Sequence, residues 1–252
     1  MVLVAGKGPG GSACAITVRT GARRMIFENR PAAGRQLASA LAQYAGINVV
    51  VLGVACGGVV VAREVAAALH APLDVIVARR IGAPTQPEMT VGAVGEGGVS
   101  IRRSDAMRTA GMSDDQFVAA ELHELGEIER RCQRFRGERP LTDLRGKVVI
   151  IVDDGISTGC TASAAVAVAR EHHAEHIVVA TPVSTVMAAQ DLQRQADDVV
   201  VLQVSQDLLA TRYWYDNFAA CTDDDVVRLL AGAAATPDAL PVGPVGDRRC
   251  EA

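Results

Sequence analysis

The chain has 252 residues and a formal net charge of −4, which supplies no field to draw in nucleic acid or an anionic membrane, so a polyanionic ligand needs a local basic site. Apolar residues make up 49% and aromatics only 3%, so the interior is built from Val, Ala, Leu and Ile, as in parallel sheets covered on both faces. Cysteines at 14, 56, 132, 160, 221 and 250 show no CxxC pair, and no apolar run nears the roughly 18 residues of a membrane span, which argues against disulfides, zinc and membrane insertion and predicts a cytoplasmic protein.

Along the chain, "GKGPGGSA" (6–13) mimics a phosphate loop, but its lysine precedes the glycines, so P-loop geometry fails and residues 1–24 read as a flexible N-terminal extension. β-Branched runs then predict strands at 47–55, 73–81, 147–154, 176–183 and 198–205, and 3.6-residue periodicity predicts helices at 32–45, 58–70, 160–173 and 184–196. Their alternation predicts an α/β fold with a doubly wound, mostly parallel sheet and ligands at the carboxyl ends of its strands. Residues 82–103 interrupt the alternation with turn signals and a Gly-Glu-Gly-Gly that suits a hairpin, and read as a mobile flap. A charged helix follows at 112–137, capped by Ser113, with its charges read as a solvated face. The segment 235–252 is Pro- and Gly-rich without periodicity and predicts a disordered tail.

The stretch "VVIIVDDGISTGCTASAAVAVAR" (148–170) runs a buried strand into two acids, a small polar loop and an alanine-rich helix. Gly155 and Gly159 permit close approaches that a β-carbon blocks, while loop and helix-start N–H groups, with Ser157, Thr158 and Thr161, form an anion cradle. Asp153 and Asp154 do not suit a phosphate, but they accept hydrogen bonds from vicinal hydroxyls. A ligand with a diol at one end and a phosphate at the other, such as a ribose 5-phosphate, satisfies both.

"VVIIVDDGISTGCTA" resembles the phosphoribosyl pyrophosphate (PRPP) signature of type I phosphoribosyltransferases. "FENRPAAGRQLASALA", "EIERRCQRFRG" and "WYDNFAACTDDDVVRLL" look like further blocks of a bacterial group in that superfamily, and the resemblance covers about residues 25–232. It implies a transferase domain over 25–235, followed by the tail at 236–252, with a flap and a small C-terminal helical hood. By that resemblance Asp153 and Asp154 bind the ribose hydroxyls, with indirect contact to Mg²⁺, and Gly155, Ile156, Ser157, Thr158, Gly159, Cys160 and Thr161 hold the 5-phosphate. It also implies a Mg²⁺ cofactor, a nucleobase-like small-molecule acceptor and a homodimer.

The pyrophosphate loop is expected at Ala55, Cys56, Gly57 and Gly58, where the resemblance implies a cis peptide at Ala55–Cys56. The resembling group shows Pro-Arg-Gly-Gly there, so this chain lacks the arginine, and Arg79 and Arg80 at the end of the next strand are the expected replacements. Cys56 reads as a core residue rather than a nucleophile, since no histidine stands near it in sequence. His172, His173 and His176 read as helix-end residues rather than metal ligands. Glu88 either reaches the ribose or Mg²⁺ when the flap closes or solubilises a loop. The aromatic run at 213–218 reads as packing in preference to base stacking, and residues 181–183 as a possible acceptor wall. The expected chemistry is phosphoribosyl transfer from PRPP to an acceptor nitrogen. A PRPP-sensing module without catalysis and an enzyme acting on another sugar phosphate are the alternatives.

Overall fold

The computed structural model describes residues 2–7, 13–18, 26–206, 208 and 210–234. Strands β1 (Val2–Lys7) and β2 (Ala13–Val18) form an antiparallel pair, and β2 runs parallel to β10 (Asp198–Ser205). The rest of the main sheet is β3 (Val49–Val54), β4 (Leu73–Ile76), β8 (Val148–Val152) and β9 (His176–Thr185), all parallel, in the order β1-β2-β10-β9-β8-β3-β4. The flexible extension expected over residues 1–24 is instead partly strand, since 2–7 and 13–18 belong to the main sheet; the rest of it, and the tail at 235–252, lie outside the described residues.

The strands read as unbroken apolar runs because both faces are covered. Val49, Val51, Ile150, Val152, Val178 and Ala180 pack against α1 (Arg30–Ala40) and α2 (Gly57–Leu69). The residues between them, among them Val50, Leu52, Val149, Ile151, Ile177 and Val179, pack against α5 (Cys160–Glu171) and α6 (Val186–Gln193). Successive side chains of a strand point to opposite faces, so one apolar run serves two cores. Each fully buried Ile or Val contributes about 1.5–3 kcal/mol.

Residues 73–81 depart from the expected single strand. The chain leaves the main sheet after Ile76, and β5 (Ala78–Ala83), β6 (Gln86–Gly95) and β7 (Ser100–Arg102) form a separate antiparallel sheet. The expected flap is therefore an ordered ribbon over most of its length. Thr90 to Gly95 are buried, because α5 lies under the ribbon and presents Ala164 and Val168 to it, while Gln86, Pro87 and Glu88 at its tip are exposed. The Gly-Glu-Gly-Gly stretch does turn a hairpin, through a 3-10 turn between β6 and β7.

Helices α3 (Ser104–Ala110), α4 (Asp114–Arg136) and α7 (Asp223–Ala234) form the hood. Ser113 caps α4 reciprocally with Gln116, each side chain meeting the other's backbone N–H. Phe117, Ile128 and Phe135 of α4 share a third core with Val59, Val75, Ile81, Val226 and Leu230, which fixes the hood over the carboxyl end of β3. At α6 the strand persists to Thr185 and the helix starts only after it, because the Thr185 hydroxyl accepts the Ala188 N–H as its cap.

Candidate active site

Strands β3 and β8 are neighbours and end on the same edge of the sheet, so the segments that follow them meet there. A cavity of about 340 Å³ lies between them, lined by Val54, Ala55, Cys56, Gly57, Ala78, Arg79, Arg80, Arg131, Asp153, Asp154, Gly155 and Thr161. Most of these residues are the ones singled out from the sequence; the sequence reasoning gave no role to Val54, Ala78 or Arg131.

The first wall is the turn after β8. Ile156 is buried and both its backbone groups are used: its N–H donates to the Val183 carbonyl at 2.9 Å, and its carbonyl accepts the Thr185 N–H at 3.0 Å. Its amide is therefore not available to a ligand; it ties the turn to the end of β9. The Thr185 hydroxyl adds a bond to the Ser157 carbonyl at 2.8 Å. Among the described residues, no hydrogen bond within the chain occupies the N–H groups of Gly155, Ser157, Thr158, Gly159, Cys160 or Thr161. Gly159 adopts φ 77°, a left-handed conformation open to glycine, and so turns the chain into α5 with its first donors free. The Cys160 side chain is buried against Ala78, Ala93 and Ala164, so only its amide faces this role. Ser157 and Thr158 are exposed and Thr161 lines the cavity.

The acids are held differently from one another. Asp154 Oδ2 accepts from Arg30 Nε at 2.6 Å, and that guanidinium also donates to the Ala219 carbonyl at 2.6 Å and stacks 3.7 Å over the Phe218 ring. The Tyr215 hydroxyl donates to the Asp154 carbonyl at 2.7 Å. Asp153 Oδ1 accepts the Asp154 N–H at 2.8 Å. Burial, and then the Asp154 charge, raise the Asp153 pKa well above the usual carboxylate range. The aromatic run packs as expected at Trp214 and Tyr215, both buried, whereas Tyr213 is 52% exposed.

The second wall is the turn from β3 into α2, where the Ala55–Cys56 peptide is cis. Gly57 is required by proximity: a β-carbon there would stand 2.0 Å from Asp154 Oδ2. Gly58 likewise abuts the Val152 carbonyl, so both glycines let α2 start directly against the end of β8. Cys56 Sγ donates to Asp223 Oδ1 at 3.4 Å, and the Cys221 thiol donates to the Cys56 carbonyl at 3.4 Å. Burial foremost pushes the Cys56 thiol up to about 11, with Arg131 opposing and the Asp223 hydrogen bond adding to the rise. Cys56 is thus no thiolate nucleophile. Its alkylation by iodoacetamide at pH 7.5 is expected to be at least about tenfold slower than that of a free thiol of ordinary pKa. Peptide mapping after timed labelling checks this, and rapid modification of Cys56 would contradict it.

The basic residues complete the cavity. Arg79 pairs with Glu124 of α4, and Arg80 spans the ribbon to the Pro87 carbonyl at 2.5 Å and to Glu88 at 3.6 Å. Glu88 accordingly lies on Arg80 at the exposed ribbon tip. Arg131, from α4, approaches Asp223 Oδ1 at 3.7 Å, and its Nε is one of two buried side-chain nitrogens among the described residues without a hydrogen-bond partner. Such a donor costs about 1–3 kcal/mol when left unmet. His176 pairs with Asp198, and no three His, Cys, Asp or Glu side chains among the described residues converge as a metal site. No helix among the described residues is long and apolar enough to cross a membrane.

Comparison with known proteins agrees with this geometry. A family model described as phosphoribosyl transferase domain matches residues 24–211. Two curated Mycobacterium tuberculosis proteins, "Putative phosphoribosyl transferase MT0597" of strain CDC 1551 and "Putative phosphoribosyl transferase Rv0571c" of strain H37Rv, are each 45% identical over 205 residues, 81% of this chain and 46% of theirs. The chain thus spans about half the length of the curated relatives it matches. The crystal structure of TT1426 from Thermus thermophilus superposes with a TM-score of 0.69 at 39% identity, covering 82% of this chain and 99% of that one.

Proposed function

The chain belongs to the phosphoribosyl transferase family, and from that premise we propose that it transfers phosphoribose from PRPP to a nitrogenous acceptor of the nucleobase class, releasing pyrophosphate. One observation carries the reading: six N–H groups at 155 and 157–161, unpaired among the described residues, adjoin two acids on a cavity that also receives arginines. The free amides suit the 5-phosphate, and the acids suit the ribose diol. An acceptor nitrogen then displaces pyrophosphate at the anomeric carbon; the protein positions the ring and neutralises charge on the leaving group.

Mg²⁺ fits this site only as an ion brought by the substrate. It keeps several waters and takes one or two carboxylates besides phosphate oxygens, which Asp153 and Asp154 can provide without a dedicated protein cage. Its chemistry there is charge neutralisation on the diphosphate. The protein is proposed to act in the cytoplasm as a homodimer.

Cys56 favours a second reading, because it stands where the pyrophosphate loop of the resembling group carries an arginine. In that reading the module senses PRPP and catalyses nothing. Pyrophosphate release, assayed with PRPP, Mg²⁺ and a panel of purines, pyrimidines and related bases, separates the two. Release with one acceptor class supports transfer; tight PRPP binding with no release for any acceptor replaces transfer by sensing; no binding of ribose 5-phosphate or PRPP refutes both.

A further inference from the structure

We propose that Arg131, reaching into the cavity from α4, supplies to the leaving pyrophosphate the positive charge that the turn between β3 and α2 lacks. The inference rests on the PRPP reading of the site and assigns one residue within it. The basic candidates nearest in sequence line the cavity too but are each held by acceptors of the chain, Arg79 by Glu124 and Arg80 by the Pro87 carbonyl and Glu88. Arg131 lines the same cavity with a buried Nε–H that no group among the described residues accepts.

Its placement matches the vacancy at position 56. Cys56 Sγ and Arg131 Nη2 converge on one atom, Asp223 Oδ1, at 3.4 and 3.7 Å. A guanidinium from α4 therefore stands where one from position 56 would reach. Asp223, the first residue of α7, orients Arg131 and is itself matched by Arg130 at 3.6 Å. The Arg131 side chain is 21% exposed, so an entering diphosphate can reach the outer edge of its planar guanidinium, which can bind two acceptor oxygens at once.

Calorimetry on the full chain with Mg²⁺ tests this, using PRPP and ribose 5-phosphate as probes that differ in the diphosphate. In Arg131→Met, PRPP affinity should fall about 10- to 100-fold while ribose 5-phosphate affinity stays within about threefold of wild type. Introducing Cys56→Arg into that variant should restore PRPP affinity at least about tenfold, because the charge returns to the same place by the other route. Should Arg131→Met fail to fold, Arg131→Lys gives the answer, with a smaller loss confined to PRPP. Unchanged PRPP affinity, or equal weakening for both probes, overturns the assignment of Arg131. Wild-type protein that binds neither probe overturns the underlying reading instead.

Discussion

Replacing Asp153 and Asp154 together by Asn is expected to abolish measurable binding of ribose 5-phosphate. Each acid offers acceptor oxygens to a sugar hydroxyl, at about 0.5–1.5 kcal/mol for a neutral hydrogen bond and about 1.5–3 kcal/mol for a charged one, so losing both is expected to lower affinity by about 10- to 1,000-fold or more. The amide retains the shape and one acceptor, which separates the effect of charge from that of packing. Calorimetry reads the result, and affinity equal to wild type would remove the acids from the ligand. Asp153→Asn alone should act in opposite directions on binding and on stability. The folded protein raises the pKa of this carboxyl, through burial first and the Asp154 charge second. A raised folded pKa means that its stabilising contribution is complete below the unfolded value of about 3.9 and is lost as pH rises through the folded value. Near neutral pH the wild type carries that loss and the Asn variant does not. Its unfolding midpoint at pH 7 should exceed that of wild type by about 2 °C or more, and the advantage should vanish near pH 3.

The second large effect is expected at Arg30. Its side chain is 10% exposed and that of Asp154 14%, so Arg30→Met strands a carboxylate in a site that water barely reaches. Breaking such a pair from one side costs about 3–5 kcal/mol, which for a chain of this size lowers the unfolding midpoint by about 10 °C. Met also forfeits the bond to the Ala219 carbonyl and the stacking on Phe218. The double variant Arg30→Met/Asp154→Asn should regain part of the loss, since the stranded charge is gone. Urea unfolding of the three variants measures the coupling, and a single variant within about 1 kcal/mol of wild type would show the pair to be solvated.

Five strands of the main sheet were legible because burial on both faces leaves a near-continuous apolar record, as at residues 147–154 and 198–205, whereas β1 and β2 were not, lying in residues read as a flexible extension. The exit from the sheet at Val77 was not, since "LDVIVARRI" stays apolar or basic across the break and carries no glycine or proline to mark it. Helix α7 was expected only as part of a C-terminal helical hood, without bounds, because its three leading acids and short apolar face read as part of an aromatic-led segment. At the site, the turn after β8 announced its donors through Gly155, Gly159 and the hydroxyl residues. The use of Ile156 as an anchor was hidden, because strand-end pairing with Val183 and Thr185 depends on which strand lies alongside. Arg131 was hidden for a similar reason: in a helix with charges all round it reads as one more solvated cation, and only the docking of α4 on the hood core sorts it from Arg130 and Arg134. The available signal was charge: the block "EIERRCQRFRG" carries four arginines against two glutamates.

The tie between Ile156 and the end of β9, reinforced by the Thr185 hydroxyl on Ser157, fixes residues 155–159 before anything arrives. Freezing a slack segment of that length on association would consume about 1–2 kcal/mol per residue, enough to erase much of what several good contacts provide. Here the immobilisation is completed during folding, so an incoming small anion surrenders its own freedom and little of the chain's. Under the proposed reading, part of the affinity would thus originate in two strand-end pairings that never touch the guest.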